Sequence, residues 1–379
     1  MDLVQDRQIS YGVVQPGSDM VGGVPIVRVK DVRNGVIDAS SPIRVAAEIA
    51  SKHSRTQLSG GELLLSLVGT VGESAVAPRS LTGWNVARAI AVIRPTGVSA
   101  RWLQLCFESA PIKSEILGVL NTTVQSTLNL ADLKRLRIPV PPAEVRSGIE
   151  EVLGALDDKI AANITLFSKI DALAQSNFKS MIIDAALQPL SSTAQFVNGK
   201  AFTKGASGTG RVVIRIAELN SGIGGSTVYS DADVPEQYVA NPGDLLFAWS
   251  GSLTLHRWFR PAAIINQHIF KVIPNEGFPA WLVHELLREK LAYFKSVAAD
   301  KATTMGHIQR KHLDEPVLVP KPDVIAQHSD MMESLWKLSL STQVESLQLA
   351  ETRDTLLPQL MSGRLRVKDA ERALEDAGV

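Results

Sequence analysis

The sequence predicts an α+β chain, with two tandem mixed α/β domains separated by long helices that form an antiparallel coiled coil. Three observations lead there: a segment of well over a hundred residues is written twice in the same order, each copy runs into a helix-forming stretch with sevenfold spacing, and the sign of the charge alternates along the chain. A chain of 379 residues, 45% of them hydrophobic, has the material for two ordinary cores.

The first copy opens with GVPIVRVKDVRNGVI around Arg28, and the second with GRVVIRIAELNSGI around Arg215. GGELLLSLVG from Gly60 returns as NPGDLLFAWSG from Asn241, and AIAVIRP ending at Pro95 returns as HIFKVIP ending at Pro274. Trp102 and Trp281 follow within a few residues, and both copies close on proline-rich corners, IPVPPAEV and VLVPKPDV. The offset is 187 residues at Arg28/Arg215 but 179 at Trp102/Trp281, so strands are kept while loops change length. A common scaffold with different loops suits two different ligand preferences.

Within a copy, short Val-, Ile- and Leu-rich strands come first, near Pro25–Val29, Glu62–Val68 and Ala87–Arg94. A helical stretch follows, roughly Ser99–Leu120 in the first copy and Pro279–Ala299 in the second, where Trp281, Leu282, Leu286, Leu287, Leu291 and Phe294 share one helix face. Beyond the first corner, Leu153, Ile160, Phe167, Ala174 and Met181 recur every seventh residue, with Leu156, Asn163, Ile170 and Asn177 as companions. That is a coiled-coil seam in which asparagines fix register, reaching roughly 60 Å over about 40 residues. The second long helix, Asp323–Ser362, carries a looser series, Leu335, Leu338, Thr342, Leu349 and Leu356, interrupted by Pro358, with Gly363, Arg364 and Arg366 beginning a basic tail. The expected boundaries are therefore 1–142 and 187–322 for the mixed domains, 143–186 for the central helical spacer, and 323–379 for the C-terminal helix and tail. Two separate helical hairpins, each packed on its own domain, are the alternative to one antiparallel pair.

Formal net charge is zero, yet it is unevenly spread. Residues 1–142 carry 15 Lys+Arg against 11 Asp+Glu (+4) and 187–322 carry 14 against 11 (+3), whereas 143–186 carry 4 against 7 (−3) and 323–379 carry 6 against 10 (−4). Basic domains and acidic helices fit a polyanion-binding chain without proving one. The opening MDLVQDRQIS lacks the basic and apolar parts of a signal peptide, and no apolar run nears the roughly 20 residues that cross a bilayer. A cytoplasmic chain without membrane partners is expected. Cys106, the single cysteine, sits in the apolar run WLQLCF and reads as a buried side chain.

No catalytic constellation is found. Asn241-Pro242-Gly243-Asp244 does not match the motif of an amine methyltransferase and reads as a turn before a strand. GASGTGR, with Gly205, Gly208 and Gly210, lacks the lysine of a phosphate loop and reads as a flexible loop. The histidines 53, 256, 268, 284, 307, 312 and 328 form no metal-ligand pattern, so neither a metal nor a cofactor is expected in this chain.

Taken together, the doubled order of a GxPxxRxxD-like strand, a GxLLxxxxG strand, a strand ending in xxIxP and a xIPxPPxxE corner leading to a long helix resembles the specificity (S) subunits of type I restriction-modification systems. The likeness covers residues 9–363, and GWNVARAIAVIRP, FVNGKAFTKG, INQHIFKVIP and QLMSGRL are similar to recurrent phrases of that family. At the corners this chain has AEVRSGIEEVL and DVIAQHSDMM, where the family more often has a Glu-Gln pair. The resemblance implies two target-recognition domains, each reading one half of a bipartite, asymmetric site on double-stranded DNA. It implies two methyltransferase (M) subunits as partners, with restriction (R) subunits joining through them. S-adenosylmethionine, and ATP with Mg, would be used by those partners, leaving this chain non-catalytic. A specificity-like subunit of another anti-phage defence complex, or a coiled-coil adaptor that binds no DNA, are the competing readings.

Base reading needs Arg, Lys, Asn, Gln, Ser or Thr on loops able to enter the major groove, with other basic residues taking phosphates. In the first copy the candidates are Arg79, Trp84, Asn85 and Arg88, then the polar run Asn121, Thr122, Thr123, Gln125, Ser126 and Thr127. In the second they are His256, Arg257 and Arg260, then Asn266, Gln267 and His268, then Lys301, Thr303, Thr304, His307 and Arg310.

Overall fold

In a computed structural model, residues 9–33, 35–120, 126–300 and 306–376 are described. The chain divides into two compact units, one formed by residues up to Ala161 with those from Leu349 onward, the other by Ala162–Gln348. Each takes a stretch of both long helices, Ala143–Met181 and Pro322–Met361.

The first unit holds an antiparallel sheet of four strands in the order Ile9–Tyr11, Ile90–Ile93, Leu63–Ser66 and Ser74–Val76. Leu63–Ser66 is buried on both faces, which explains its unbroken apolar run. Leu63 and Leu65 face a core shared with the helices, while Leu64 joins Val86, Ile90 and Val92 in a second core. A three-stranded sheet, Ile43–Val45, Val24–Val27 and Asn85–Val86, packs beside it, with the last two strands parallel. Helices Ala100–Glu108 and Ala110–Val119 replace the single expected helix, because Ser109 is extended (ψ 143°) ahead of Pro111. Cys106 is buried among them, and burial pushes its thiol up to about 12.

The second unit repeats this plan. Its four-stranded sheet runs Ala194–Asn198, Ile269–Pro274, Leu245–Ala248 and Thr254–Arg257, and its second sheet Val228–Ser230, Arg211–Ile214, Ala263–Ile265 and Val239–Ala240. Arg211–Ile214 and Ala263–Ile265 form the parallel pair that Val24–Val27 and Asn85–Val86 form in the first unit. The Arg28 and Arg215 phrases fold alike in detail. Each arginine precedes a short helix, grips the carboxylate three residues on (Asp31 or Glu218), and donates through Nη2 to a carbonyl two residues ahead of a neighbouring strand, Ser41 at 2.7 Å or Ser226 at 2.6 Å. The helix Ala280–Asp300 has no proline break and runs 21 residues.

Along the long helices each unit shows antiparallel contact. In the first, Ile149, Val152, Leu153 and Leu156 pack with Leu349, Leu356, Leu357 and Leu360, and Asp157 binds Arg353 at 2.8 Å. In the second, Asn163 is buried and donates to Glu345 at 2.8 Å, with Met332, Ser339 and Thr342 also buried. The heptad series fails at two places. Asn177 bonds the Leu173 carbonyl of its own helix while Phe178 takes the buried position, and Leu338 is 45% exposed while Ser339 is buried. Pro358 does not interrupt the helix, which continues to Met361 and ends at Gly363 (φ 71°). The expected basic tail is instead a helix, Val367–Asp376, that buries Ala370 and Leu374 in the first unit's core. Gly148 is required there, since a Cβ would stand 2.9 Å from the Val367 side chain.

Candidate nucleic-acid interface

The strand Leu63–Ser66 and its counterpart Leu245–Ala248 both end in a glycine-rich tip where four chain segments meet. In the second unit Trp249 N donates to the His268 carbonyl (3.1 Å), Ile308 N to the Trp249 carbonyl (3.0 Å), and Gly199 N to the Ile269 carbonyl (2.9 Å). In the first, Leu67 N donates to the Ala89 carbonyl (2.8 Å) and Leu128 N to the Leu67 carbonyl (2.9 Å). Bridges Val13↔Ala87 and Val68↔Thr127 match Lys200↔Asn266 and Ser250↔His307. Register and bonding together pair Tyr11 with Asn198, Gly12 with Gly199, Val13 with Lys200, Leu67 with Trp249, Arg88 with Gln267, Ala89 with His268, and Thr127 with His307.

Gly12 and Gly199 explain why the segments come so close. A Cβ at Gly12 would lie 2.0 Å from the Val86 carbonyl oxygen, and one at Gly199 would lie 2.2 Å from that of Asn266. The backbone is thus conserved between the tips while the side chains are not. The first presents exposed Tyr11 and Arg88 beside Thr127, with Leu67 buried. The second presents Trp249, whose indole N–H donates to Asn198 Oδ1 at 2.7 Å, with the His268 ring 5.0 Å and the His307 ring 6.4 Å away. His268 has φ 72°, the only positive value among described non-glycine residues, so its exposed side chain is held by a backbone that glycine would adopt more easily.

Of the sequence-predicted contacts, the tips gather Arg88, Ser126 and Thr127 in the first unit and Gln267, His268 and His307 in the second, with Gln267, like Arg88, exposed. Asn121, Thr122, Thr123 and Gln125, and likewise Lys301, Thr303 and Thr304, lie outside the described residues. Arg310 is exposed and reaches the Phe196 carbonyl at 3.3 Å. Others stand elsewhere. Arg79 and Trp84 belong to the far end of the strand from the tip, Arg79 exposed beside Gly60 and Trp84 packed on the second core. Arg260 lies near the opposite end of its own hairpin, over the Phe259 ring.

Three candidates are corrected. Asn85 is 1% exposed and closes the end of the helix Ala47–Lys52, its amide donating to the Ala50 and His53 carbonyls while its oxygen accepts from Thr56. Asn266 is 7% exposed and accepts from Phe202 N at 3.1 Å, fixing the tip from within. Arg257 is turned inward onto the Trp336 carbonyl and ring. His256 is half-buried against Thr254, and burial, then His284, lowers its pKa. Sequence reasoning missed Tyr11, Asn198, Lys200 and Trp249, although each stands beside a tip glycine or at a repeat-matched position. GASGTGR is not a loose loop either, since Ser207 and Thr209 both bond Asp231 and Gly208 N meets the Tyr229 carbonyl. Among the described residues no group of three or more His, Cys, Asp and Glu is placed to hold a metal.

Residues 18–171 match the family model described as type I restriction modification DNA specificity domain. Over that stretch, and more loosely beyond it, the chain is similar to the specificity subunits of type I restriction-modification systems. A specificity subunit of the type I restriction enzyme EcoBI from Escherichia coli is 28% identical over 176 residues, which are 45% of this chain and 37% of that protein. The chain therefore spans little more than a third of that relative in the alignment. A specificity subunit of MjaIX from Methanocaldococcus jannaschii is 21% identical over 391 residues, 92% of this chain and 88% of the relative. The crystal structure of a type I restriction-modification S subunit from M. genitalium covers 93% of this chain and 92% of its own, with a TM-score of 0.52 at 12% identity, a likeness of fold. That likeness of fold takes in the α+β architecture of two β-rich units and long helices. No helix among the described residues is long and apolar enough to cross a membrane.

Proposed function

We propose that this chain is the DNA-reading subunit of a type I restriction-modification complex, its two tips reading the two halves of a bipartite, asymmetric site. The observation that carries the reading is the pair of tips, alike in backbone and different at nearly every outward position. An arginine and a threonine in one tip, against a glutamine and two histidines in the other, offer different hydrogen-bonding edges to a groove. The basic balance of the domains supports attraction to phosphates, and the acidic long helices stand apart from that role. Two methyltransferase subunits dock on the chain and restriction subunits join through them. Methyl transfer from S-adenosylmethionine, and ATP-driven restriction, are the partners' chemistry, and this chain contributes recognition without a cofactor. The complex works in the cytoplasm, where its DNA is. Exchanging Ser10–Pro141 for the corresponding domain of a relative tests this: one half of the methylated site should change and the other should stay. An unchanged site, or loss of both halves in a folded protein, contradicts it.

A further inference from the structure

A cavity of about 320 Å³ opens in the second unit where the strand Thr254–Arg257 and the helix Ala280–Asp300 meet the long helices. Its wall includes Arg257, Arg288, Asp171, Glu285 and Trp281. Arg257 is only 8% exposed, yet its guanidinium donates to neutral acceptors alone: the Trp336 carbonyl (2.6 Å), Ser339 Oγ (2.8 Å) and Gln343 Oε1 (3.4 Å). No carboxylate forms an ion pair with it among the described residues. Burial lowers its pKa to about 10, with only the more distant Asp171 opposing. A buried cation without a contacting anion is costly.

Three buried N–H groups on this wall also lack an acceptor: Arg257 Nε, Trp281 Nε1 and Arg288 Nη1. Arg288 is otherwise engaged through Nη2 with Asp171 at 2.6 Å, and its Nη1 is 3.6 Å from Glu285. Every unsatisfied buried side-chain atom found among the described residues of this unit is a donor. Water filling the space would satisfy the N–H groups and leave the cation uncompensated, whereas an oxyanion does both. The surplus is not inherent in the shared fold. In the first unit the matching indole, Trp102 Nε1, donates to the Pro139 carbonyl at 2.8 Å, and Arg101 and Arg353 both bind Asp157.

We propose that this cavity binds a small free oxyanion, a phosphate or carboxylate group on a molecule of metabolite size, held by Arg257, Arg288 and the Trp281 indole. Arg257 pairs with Leu245, at the end of the strand away from Trp249, so the site lies about 13 Å along that strand from the tip. Its occupant is therefore distinct from DNA read at the tip, and would tie the sheet, the helix Ala280–Asp300 and the long helices together within this unit.

Thermal unfolding of the full chain, titrated with inorganic phosphate against chloride at matched ionic strength, tests the assignment. The expected result is a saturable rise of about 3 °C in phosphate that Arg257→Met abolishes. Trp281→Phe keeps an aromatic ring while removing one donor, and should shift the phosphate midpoint upward about tenfold. Absence of a saturable rise in the unmodified chain, or an unchanged midpoint in Trp281→Phe, overturns the proposal. So does a rise produced by a short DNA duplex and not by phosphate, which would assign the anion to a nucleic-acid backbone.

Discussion

The two tips and the two helix-facing walls teach opposite lessons about what duplication preserves. At the tips, backbone geometry is held so closely that Gly12 and Gly199 meet the same pair of carbonyl groups, while Arg88 has become Gln267 and Ala89 has become His268. Behind the sheets the fold is again shared, but Trp102, Arg101 and Arg353 find partners in the first unit, whereas Arg257, Trp281 and Arg288 in the second leave three donors open. Outward divergence at fixed backbone is how a scaffold acquires a second specificity. Inward divergence that leaves buried donors unpaired costs stability, and calls for a ligand.

The largest effect is expected at the glycines that both tips share. Gly12→Ala or Gly199→Ala places a methyl group 2.0 to 2.2 Å from a carbonyl oxygen, and each should destabilise its own unit by about 3 kcal/mol or more, read by thermal unfolding. A loss below about 1 kcal/mol would mean the segments can move apart and that the tip is not a rigid platform. A smaller difference sharpens the contrast between the walls. Both indoles are fully buried, so either Trp→Phe change loses core volume, but Trp102→Phe should cost about 1 kcal/mol more than Trp281→Phe in chloride buffer, since it also strands the Pro139 carbonyl. Equal losses would say that the two indoles are equally satisfied.

Much of this was legible in the sequence. The repeated phrases located all four central strands, and doubly buried strands such as Leu63–Ser66 advertise themselves as unbroken apolar runs. Helix length was legible as well, except where Ser109 and Pro111 cut one copy in two. The heptad series was a poorer guide, because which of Asn177 or Phe178, and Leu338 or Ser339, turns inward depends on side chains of the second β-rich unit that sequence spacing does not reveal. The site was half legible for a similar reason. Asn85, Asn266 and Arg257 have the residue types of base readers, but their partners lie from 29 to 86 positions away in the chain and fold them inward. Arg88 and Gln267 have no such internal claim among the described residues and stay exposed. Tyr11 and Asn198 became visible only when strand register aligned the copies residue by residue.

The account rests on two tips that read separately, and methylation motifs in genomic DNA measure this most directly. Cells carrying Arg88→Ala should methylate sites relaxed in one half only, and cells carrying Gln267→Ala sites relaxed in the other half only, each lost contact being worth about 1 to 3 kcal/mol of discrimination. If both substitutions relax the same half, or neither alters the motif while methylation persists, the two-tip account is wrong.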